Sequence, residues 1–147
     1  MTLRRWTAAL SLPIAACSAQ PRTPVAGDAY VRLAAVPGRP AAGYFVVHGG
    51  ASDATLVQVA AAGVPRAELH GSRMTANGMT AMESLAGVPV PAGATVAFAP
   101  GGRHVMLFGV PASVAPGATL PLTLRFGDGT AVRVDARVIA AGDAAPA

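Results

Sequence analysis

The stretch that decides the fold is TLPLTLRFGDGTAVRVDARV, residues 119–138. Apolar side chains occupy every second position in both of its halves: Leu120, Leu122, Leu124, Phe126, Val132, Val134, Ala136 and Val138. This alternation is the period of a half-buried β-strand, and the Asp-Gly turn signal at 127–129 joins the two runs. We therefore expect a β-hairpin that is apolar on one face and polar on the other. Pro121 cannot donate a ladder hydrogen bond, so its strand is expected at a sheet edge, or Pro121 at the start of the strand.

The rest of the chain gives similar but shorter signals. Strands are predicted near 29–35, 42–48, 54–61, 66–70, 79–84, 95–99 and 103–108. The chain has 17 Gly and 13 Pro in 147 residues, and no run of ten or more residues has a helical period with caps. These features predict one all-β domain, a sandwich or a barrel.

The charge pattern excludes one class of partner. The formal net charge is +4, and every basic residue is arginine. Arg4 and Arg5 supply two of these charges, and from Cys17 onward nine Arg face seven acidic residues. No basic cluster with interleaved aromatic residues is present, so we expect scattered solvated arginines and no nucleic-acid binding.

The first residues are typical of an export signal. Two arginines precede a short apolar stretch, 6–16, which is too short to span a membrane. The sequence Ile14-Ala15-Ala16-Cys17 resembles a bacterial lipobox, and Cys17 is the only cysteine, which rules out an intramolecular disulfide. We expect a lipoprotein-type signal peptide at 1–16 with lipid attachment at Cys17, rather than ordinary cleavage nearby. A flexible tether at 17–27, a β-sandwich domain at 28–139 and a disordered tail at 140–147 are then expected.

Two histidines and two methionines are the candidate metal ligands. In the predicted strand HVMLF, His104 and Met106 point to the same face, about 6.5–7 Å apart along the strand. His70 ends the predicted strand RAELH, and Met82 follows a glycine-containing loop. A thioether is a soft ligand that favours Cu(I), and imidazole binds copper in both oxidation states. Each residue alone has an ordinary alternative: methionine as core filler, histidine as a surface or satisfied residue.

The spacing of these four residues resembles the ligand pattern of the periplasmic copper chaperone family PCuAC. Eleven residues separate His70 from Met82, twenty-one separate Met82 from His104, and one separates His104 from Met106. The surrounding sequence is also similar, from Glu68-Leu69-His70 through 91–93 to 100–107 and 122–126, and the resemblance covers about residues 28–139. The family often has Met directly after the first His, where this chain has Gly71.

The resemblance implies a fold, a metal and a function. It implies a cupredoxin-like Greek-key β-sandwich that binds copper, mainly Cu(I) and in some states Cu(II), outside the cytoplasm. The implied metal ligands are His70, Met82, His104 and Met106. The implied role is a copper chaperone of the periplasm that passes the ion to a cytochrome c oxidase subunit or to another copper chaperone. The lipobox at Cys17 adds the expectation that the protein is lipid-anchored to a bacterial membrane.

Four further residues are accessory candidates. His48 ends the strand YFVVH, where a structural or supporting role is favoured over ligation. Met74 and Met79 are expected in the loop between His70 and Met82, where hydrophobic loop contacts compete with transient sulfur ligation. Glu68 would share the face of His70 in a regular strand, and a solvated carboxylate is its ordinary interpretation.

Several other functions remain to be weighed. A blue-copper electron carrier needs a thiolate ligand, and the only cysteine is at the leader junction. Zinc would recruit Cys, His or carboxylates rather than two methionines. We find no nucleophile–base pair, paired catalytic carboxylates or phosphate-cradling loop, so an enzyme is not expected. A copper sequestration or resistance lipoprotein would use the same ligands as a chaperone, and a purely structural lipoprotein would bind no copper.

Overall fold

The computed structural model describes residues 21–146, and this part of the chain is all-β. Its strands are β1 Val25–Arg32, β2 Ala41–His48, β3 Ala54–Ala61, β4 Arg66–Met74, β5 Thr80–Ser84, β6 Val88–Val90, β7 Thr95–Phe98, β8 His104–Phe108, β9 Thr119–Phe126 and β10 Ala131–Ile139. The predicted signal peptide, the lipid attachment at Cys17 and the first part of the tether lie outside the described residues. Across residues 21–146, nothing helical has the length and apolar character needed to cross a bilayer.

The hairpin predicted from residues 119–138 is formed by β9 and β10. The two strands pair antiparallel from Thr119↔Arg137 to Arg125↔Ala131. The turn is closed by two backbone hydrogen bonds, from Phe126 N to Thr130 O (2.9 Å) and from Gly129 N to Phe126 O (3.0 Å). Gly129 adopts a φ of 89°, which is open to glycine at little cost. The Asp128 carboxylate accepts a further bond from Thr130 N at 2.8 Å, and this bond is the main cause of its lowered pKa.

The strands form one long sheet whose two halves enclose the core. Its order is β5-β4-β8-β2-β1-β10-β9-β3-β6, with β7 pairing β2 beside β8, and β1 joins β10 in parallel. Inward side chains of both halves belong to a single buried cluster that includes Phe45 and Val105 from one half and Leu122 and Leu124 from the other. The packing of these two apolar faces makes the sandwich, as the alternation in 119–138 predicts.

Two predicted boundaries are wrong. Residues 25–27, assigned to the tether, begin β1 and pair with residues 46–48 of β2. The tail predicted to be disordered is ordered at its start, because Asp143 accepts a hydrogen bond from Ala140 N and the Arg32 guanidinium donates to the carbonyls of Ala141 and Asp143. The last strand is therefore followed by an anchored turn.

One of the two placements predicted for Pro121 is wrong, and strand β6 is absent from the predictions. The strand of Pro121 lies between β10 and β3, so the expected sheet edge is wrong, and Pro121 instead sits near the start of β9. The β3 ladder begins at Leu122, and beyond it the Pro121 carbonyl accepts a bond from Ala62 N at 3.1 Å. A missing N–H is tolerated at such a ladder end. The three-residue edge strand β6 was not predicted.

Candidate metal centre

The four predicted ligands lie on three neighbouring strands at one end of the sheet. In the β5-β4-β8 order, His70 pairs directly with His104, Met106 pairs with Glu68, and Met82 pairs with Ser72. Paired residues point to the same face of a sheet, as do residues two apart on one strand. All four side chains therefore belong to one face, the outer face of β4, β5 and β8.

The core determines this orientation. Leu69 on β4 and Val105 and Leu107 on β8 are at most 4% exposed and point into the sandwich. Because side chains alternate along a strand, the residues between them must face outward. The sequence-based prediction that His104 and Met106 share a face opposite Val105 and Leu107 is confirmed by this packing.

The two imidazoles lie side by side on paired strands. Their ring centroids are 5.9 Å apart, and the ring planes are inclined by 31°. His104 is 6% exposed, and its Nδ1 donates to the Gly102 carbonyl oxygen at 3.1 Å. That carbonyl is fixed in turn, since Ser72 N also donates to it at 3.2 Å. With its proton on Nδ1, neutral His104 carries its lone pair on Nε2, the form in which imidazole binds metals.

His70 has one nitrogen bonded and one without a partner. Its Nε2 donates to the Glu68 carboxylate at 3.0 Å. Its Nδ1 is buried, and within residues 21–146 it is the one buried side-chain nitrogen or oxygen lacking a hydrogen bond. A buried unpartnered polar atom is costly, so such atoms in folded proteins call for an explanation. Because the bond to Glu68 places the ring proton of His70 on Nε2, Nδ1 keeps its lone pair, as a metal ligand requires. The histidines and methionines of this face therefore fit a copper ion.

Glu68 contributes more to the site than its ordinary interpretation as a solvated carboxylate implies. Its carboxylate joins His70 to the Arg66 guanidinium, 2.8 Å away, and Arg66 in turn stacks 3.8 Å from the centre of the Phe108 ring. The bond from His70 is the main reason that the pKa of Glu68 is lowered, and the charge of Arg66 adds to the effect. A carboxylate that bonds the second nitrogen of a ligand histidine orients the ring and fixes its tautomer. The signal in the sequence was the spacing of two residues along a strand.

The methionines lie outside the core, which removes their ordinary interpretation as core fillers. In the described part of the chain these are Met74, Met79, Met82 and Met106, and the buried core cluster contains none of them. Met106 is half-buried beside the histidines, and Met82 is 64% exposed. Met106 and Met82 are diagonal neighbours of His70 on either side, at about 7–8 Å between backbone positions, within reach of a long thioether side chain.

The accessory candidates are placed differently. Met74 is the last residue of β4 rather than part of a loop, so the expectation for it is corrected, while Met79 lies in the turn before β5. His48 lies four residues along β2 from Tyr44, the position that follows the Gly43↔Val105 pair and is level with His104, which is about 13 Å. It is exposed and bonds Thr95 Oγ1 at 3.0 Å, so its role is local to that end of the sheet.

Gly71, where the chain departs from the family pattern, has no bearing on this face. It lies on the opposite side of β4 from His70, and a β-carbon there would meet the Leu85 side chain at 3.4 Å. A residue at this position would point away from the two imidazoles. Within residues 21–146, no three His, Cys, Asp or Glu side chains are grouped to hold a metal ion.

Comparisons with known sequences give one family and one curated relative, and the printed description of each includes the word lipoprotein. The model of the family described as "Putative lipoprotein LpqE-like" matches residues 25–138. A curated protein of Leifsonia xyli subsp. xyli (strain CTCB07), named "Putative lipoprotein Lxx21020", is 38% identical over 82 residues, which is 55% of this chain. The matched segment spans 49% of that relative, about half of its length.

Solved structures of PCuAC domains share the fold. The Cu(I) form of DR1885 from Deinococcus radiodurans is 27% identical and superposes with a TM-score of 0.61, over 85% of this chain and 83% of its own. The copper-bound PCuAC domain from PmoF2 is 22% identical with a TM-score of 0.62, over 78% of this chain and 91% of its own. The sandwich is thus cupredoxin-like, as expected, and the chain belongs to the LpqE-like family.

Proposed function

We propose that this protein is a copper chaperone that works outside the cytoplasm and carries Cu(I) on the outer face of β4, β5 and β8. The proposed ligands are His70, Met82, His104 and Met106. The observation that carries the proposal is the buried, unpartnered Nδ1 of His70 beside His104, on a face that also presents two thioethers. Solved domains of the same fold include a copper-bound form and a Cu(I) form, which supports copper as the cargo.

The donor set favours the reduced ion. Two thioethers and two neutral imidazoles bring no negative charge of their own to the metal, which suits monovalent, soft Cu(I), while the imidazoles leave Cu(II) accessible. Methionine sulfur has no proton to lose and does not form disulfides, so such a site operates under oxidising conditions outside the cytoplasm. Export and a lipid anchor at Cys17 belong to the same proposal, and both the family description and the name of the curated relative support them.

Delivery is favoured over storage by the openness of the site. Met82 is 64% exposed and sits on β5 at the end of the sheet, so one sulfur ligand can leave without disturbing the core. A partner can then supply its own ligand before the imidazoles release the ion. The proposed recipient is a copper-accepting protein, such as a cytochrome c oxidase subunit or another copper chaperone. A sequestration protein without a recipient is the alternative, and it gains most from a closed site.

The test is a competition titration against a coloured Cu(I) chelator. We expect one tight Cu(I) per chain in the wild type and an affinity lowered by at least about 100-fold in Met82→Leu/Met106→Leu, since loss of ligands exceeds the loss seen on changing supporting residues. His48→Ala is the matched control, because it removes a histidine about 13 Å along β2 from the level of His104. Equal, weak binding by the wild type and the double variant would refute the ligand assignment.

A second experiment separates delivery from storage. Cu(I)-loaded protein is mixed with an apo copper-binding domain of higher affinity, and transfer is followed in the presence of a chelator that captures only free ion. Transfer faster than spontaneous release indicates direct ligand exchange and supports the chaperone. Transfer at the rate of spontaneous release would favour sequestration.

A further inference from the structure

The two ends of the sheet order differ in their protection against pairing with another strand. At one end, β6 has three residues, and Pro89 in its middle cannot donate a hydrogen bond. At the other end, β5 has five residues without proline, and all of them except Ala81 are exposed. Proline is a common means of protecting a sheet edge, so β6 is protected whereas β5 is open.

The register of the β4–β5 hairpin shows which backbone groups face the open side. Thr75 N donates to Met79 O at 2.7 Å, and Leu85 N donates to Leu69 O at 2.8 Å, both in the register of the ladder between them. Hydrogen-bonded pairs alternate with non-bonded pairs in an antiparallel ladder, so the odd-numbered residues of 79–85 bond towards β4. The backbone groups that point away from β4, to the side where the described chain places no further strand, belong to Thr80, Met82 and Ser84.

These outward positions are symmetric about Met82, so a second copy of β5 complements them. When the second copy lies antiparallel, Met82 pairs with its own equivalent and Thr80 pairs with Ser84 of the other copy. Every outward N–H then meets an outward carbonyl oxygen across the edge. Glu83 lies opposite Ala81 of the second copy, so no like charges are directly opposed.

The same register also covers exposed apolar side chains. It places Met79, which is 64% exposed, level with Leu85 of the second copy, in a non-bonded pair where side chains come closest. Leu85 lines a groove of about 250 Å³ between β3 and the β4–β5 hairpin. Val57, which is 43% exposed, lines this groove as well. A second copy therefore brings an apolar side chain to an apolar groove, and this favours it over an unrelated strand as the occupant of the edge.

We propose that two copies of this protein associate along β5, about a twofold axis at Met82. The contact consists of the five residues of β5 with Met79, Leu85 and Val57 beside them, far fewer than the roughly 20–30 residues a side of a stable interface. The dimer is thus weak and exchanges readily. In it, Met82 of each copy lies between the two pairs of imidazoles, so an ion passes from one copy to the other by exchange of thioethers, and this last step rests on the proposed function.

The test uses metal-free protein, followed by sedimentation velocity and by NMR amide exchange over a rising protein concentration. We expect the sedimentation coefficient to increase with concentration. The amides of Thr80, Met82 and Ser84 should become protected from exchange as it does, whereas those of Ala81 and Glu83 are protected throughout.

Variants of two residues test the pairing itself. Thr80→Pro removes an outward N–H from each copy and leaves the bonds to β4, so the dimer should weaken about tenfold or more, while Thr80→Val keeps the N–H and is the matched control. Met79→Ser removes the apolar contact from an exposed position and should also weaken the dimer. Protected amides at Ala81 and Glu83 show that each variant retains the hairpin.

The outcomes separate this inference from the proposed function, because no metal is present. A protein that stays monomeric at the highest concentration, or a Thr80→Pro variant that associates as well as Thr80→Val, would refute the dimer and leave the copper site as it is. Protection of the three outward amides only on addition of another copper-binding domain, and never with concentration, would also overturn the proposal, because the edge would then serve a different partner.

Discussion

The replacement His70→Leu tests whether the proposed metal site lowers the stability of the metal-free fold. The buried Nδ1 of His70 has no partner, and such an atom costs the folded protein about 1–3 kcal/mol. Leucine has a similar volume and no polar atom. The lost bond to Glu68 is replaced by bonds to water, because that carboxylate is partly exposed at the surface. We therefore expect the metal-free variant to be more stable than the wild type by about 1 kcal/mol or slightly more.

Urea denaturation of the metal-free protein measures this difference, and thermal unfolding should show a rise of roughly 4 °C for a domain of this size. Leu69→Ala is the contrasting variant on the same strand. Its side chain is 4% exposed in the core, so truncation should cost about 2–5 kcal/mol. A stabilising change at position 70 beside a destabilising one at position 69 would show that the two faces of β4 affect the stability of the metal-free protein in opposite directions.

Copper should reverse the order of stability at position 70. A ligand that binds only the folded state raises its stability by RT ln(1 + [L]/Kd), so the wild type gains on adding Cu(I), and His70→Leu, with its larger Kd, gains far less. If the metal-free variant were instead less stable than the wild type by more than about 1 kcal/mol, Nδ1 would have a partner in solution. The interpretation of His70 as a metal ligand whose Nδ1 lacks a partner in the metal-free protein would then be wrong.

Two further predictions concern residues away from the metal centre. His48→Ala should leave the Cu(I) affinity within about twofold of the wild type, measured by the same chelator competition. The side chain bonds Thr95 and lies about 13 Å along β2 from the level of His104. Asp128→Asn should make the stability of the fold less sensitive to acid. The pKa of Asp128 is lowered in the folded state, so its ionised carboxylate stabilises the fold above the ordinary aspartate pKa. This contribution is lost as pH falls through the folded value, and the variant does not have it. Urea midpoints measured from pH 6 to pH 2.5 check this, and an unchanged slope in the variant would contradict it.

The fold was most predictable where its signals are local. The alternation at 120–126 and 132–138, with Asp128 between the runs, contains both faces and the turn of the β9–β10 hairpin. Long-range pairing left no such signal: the parallel contact of Tyr30 with Arg137 joins strands more than a hundred residues apart. The early start of β1 is hidden by a register shift between Gly27 and Tyr30, where Asp28 adopts a φ of 51°.

The candidate site was predictable in part for the same reason. The period of two placed His104 and Met106 on one face of β8 without knowledge of the fold. The direct pairing of His70 with His104 depends on register, and a slip of one residue would put His70 on the other face. The hydrogen bonds that choose the tautomers, from His70 to Glu68 and from His104 to Gly102, follow from that register and were beyond a sequence pattern.

The imidazoles and the thioethers have different roles, which explains how the proposed site would bind an ion and still release it. The imidazoles are held in place, since each uses one nitrogen to bond the protein and each extends from a residue in the paired strands β4 and β8. Met82 is exposed at the end of the sheet, so its thioether can leave one ion and meet another without rearrangement of the core. Rigid nitrogen donors set the affinity through preorganisation, and mobile sulfur donors set the rate of exchange. Because the unpartnered nitrogen destabilises the empty site, binding restores stability to the domain, and a recipient must supply ligands good enough to offset that gain.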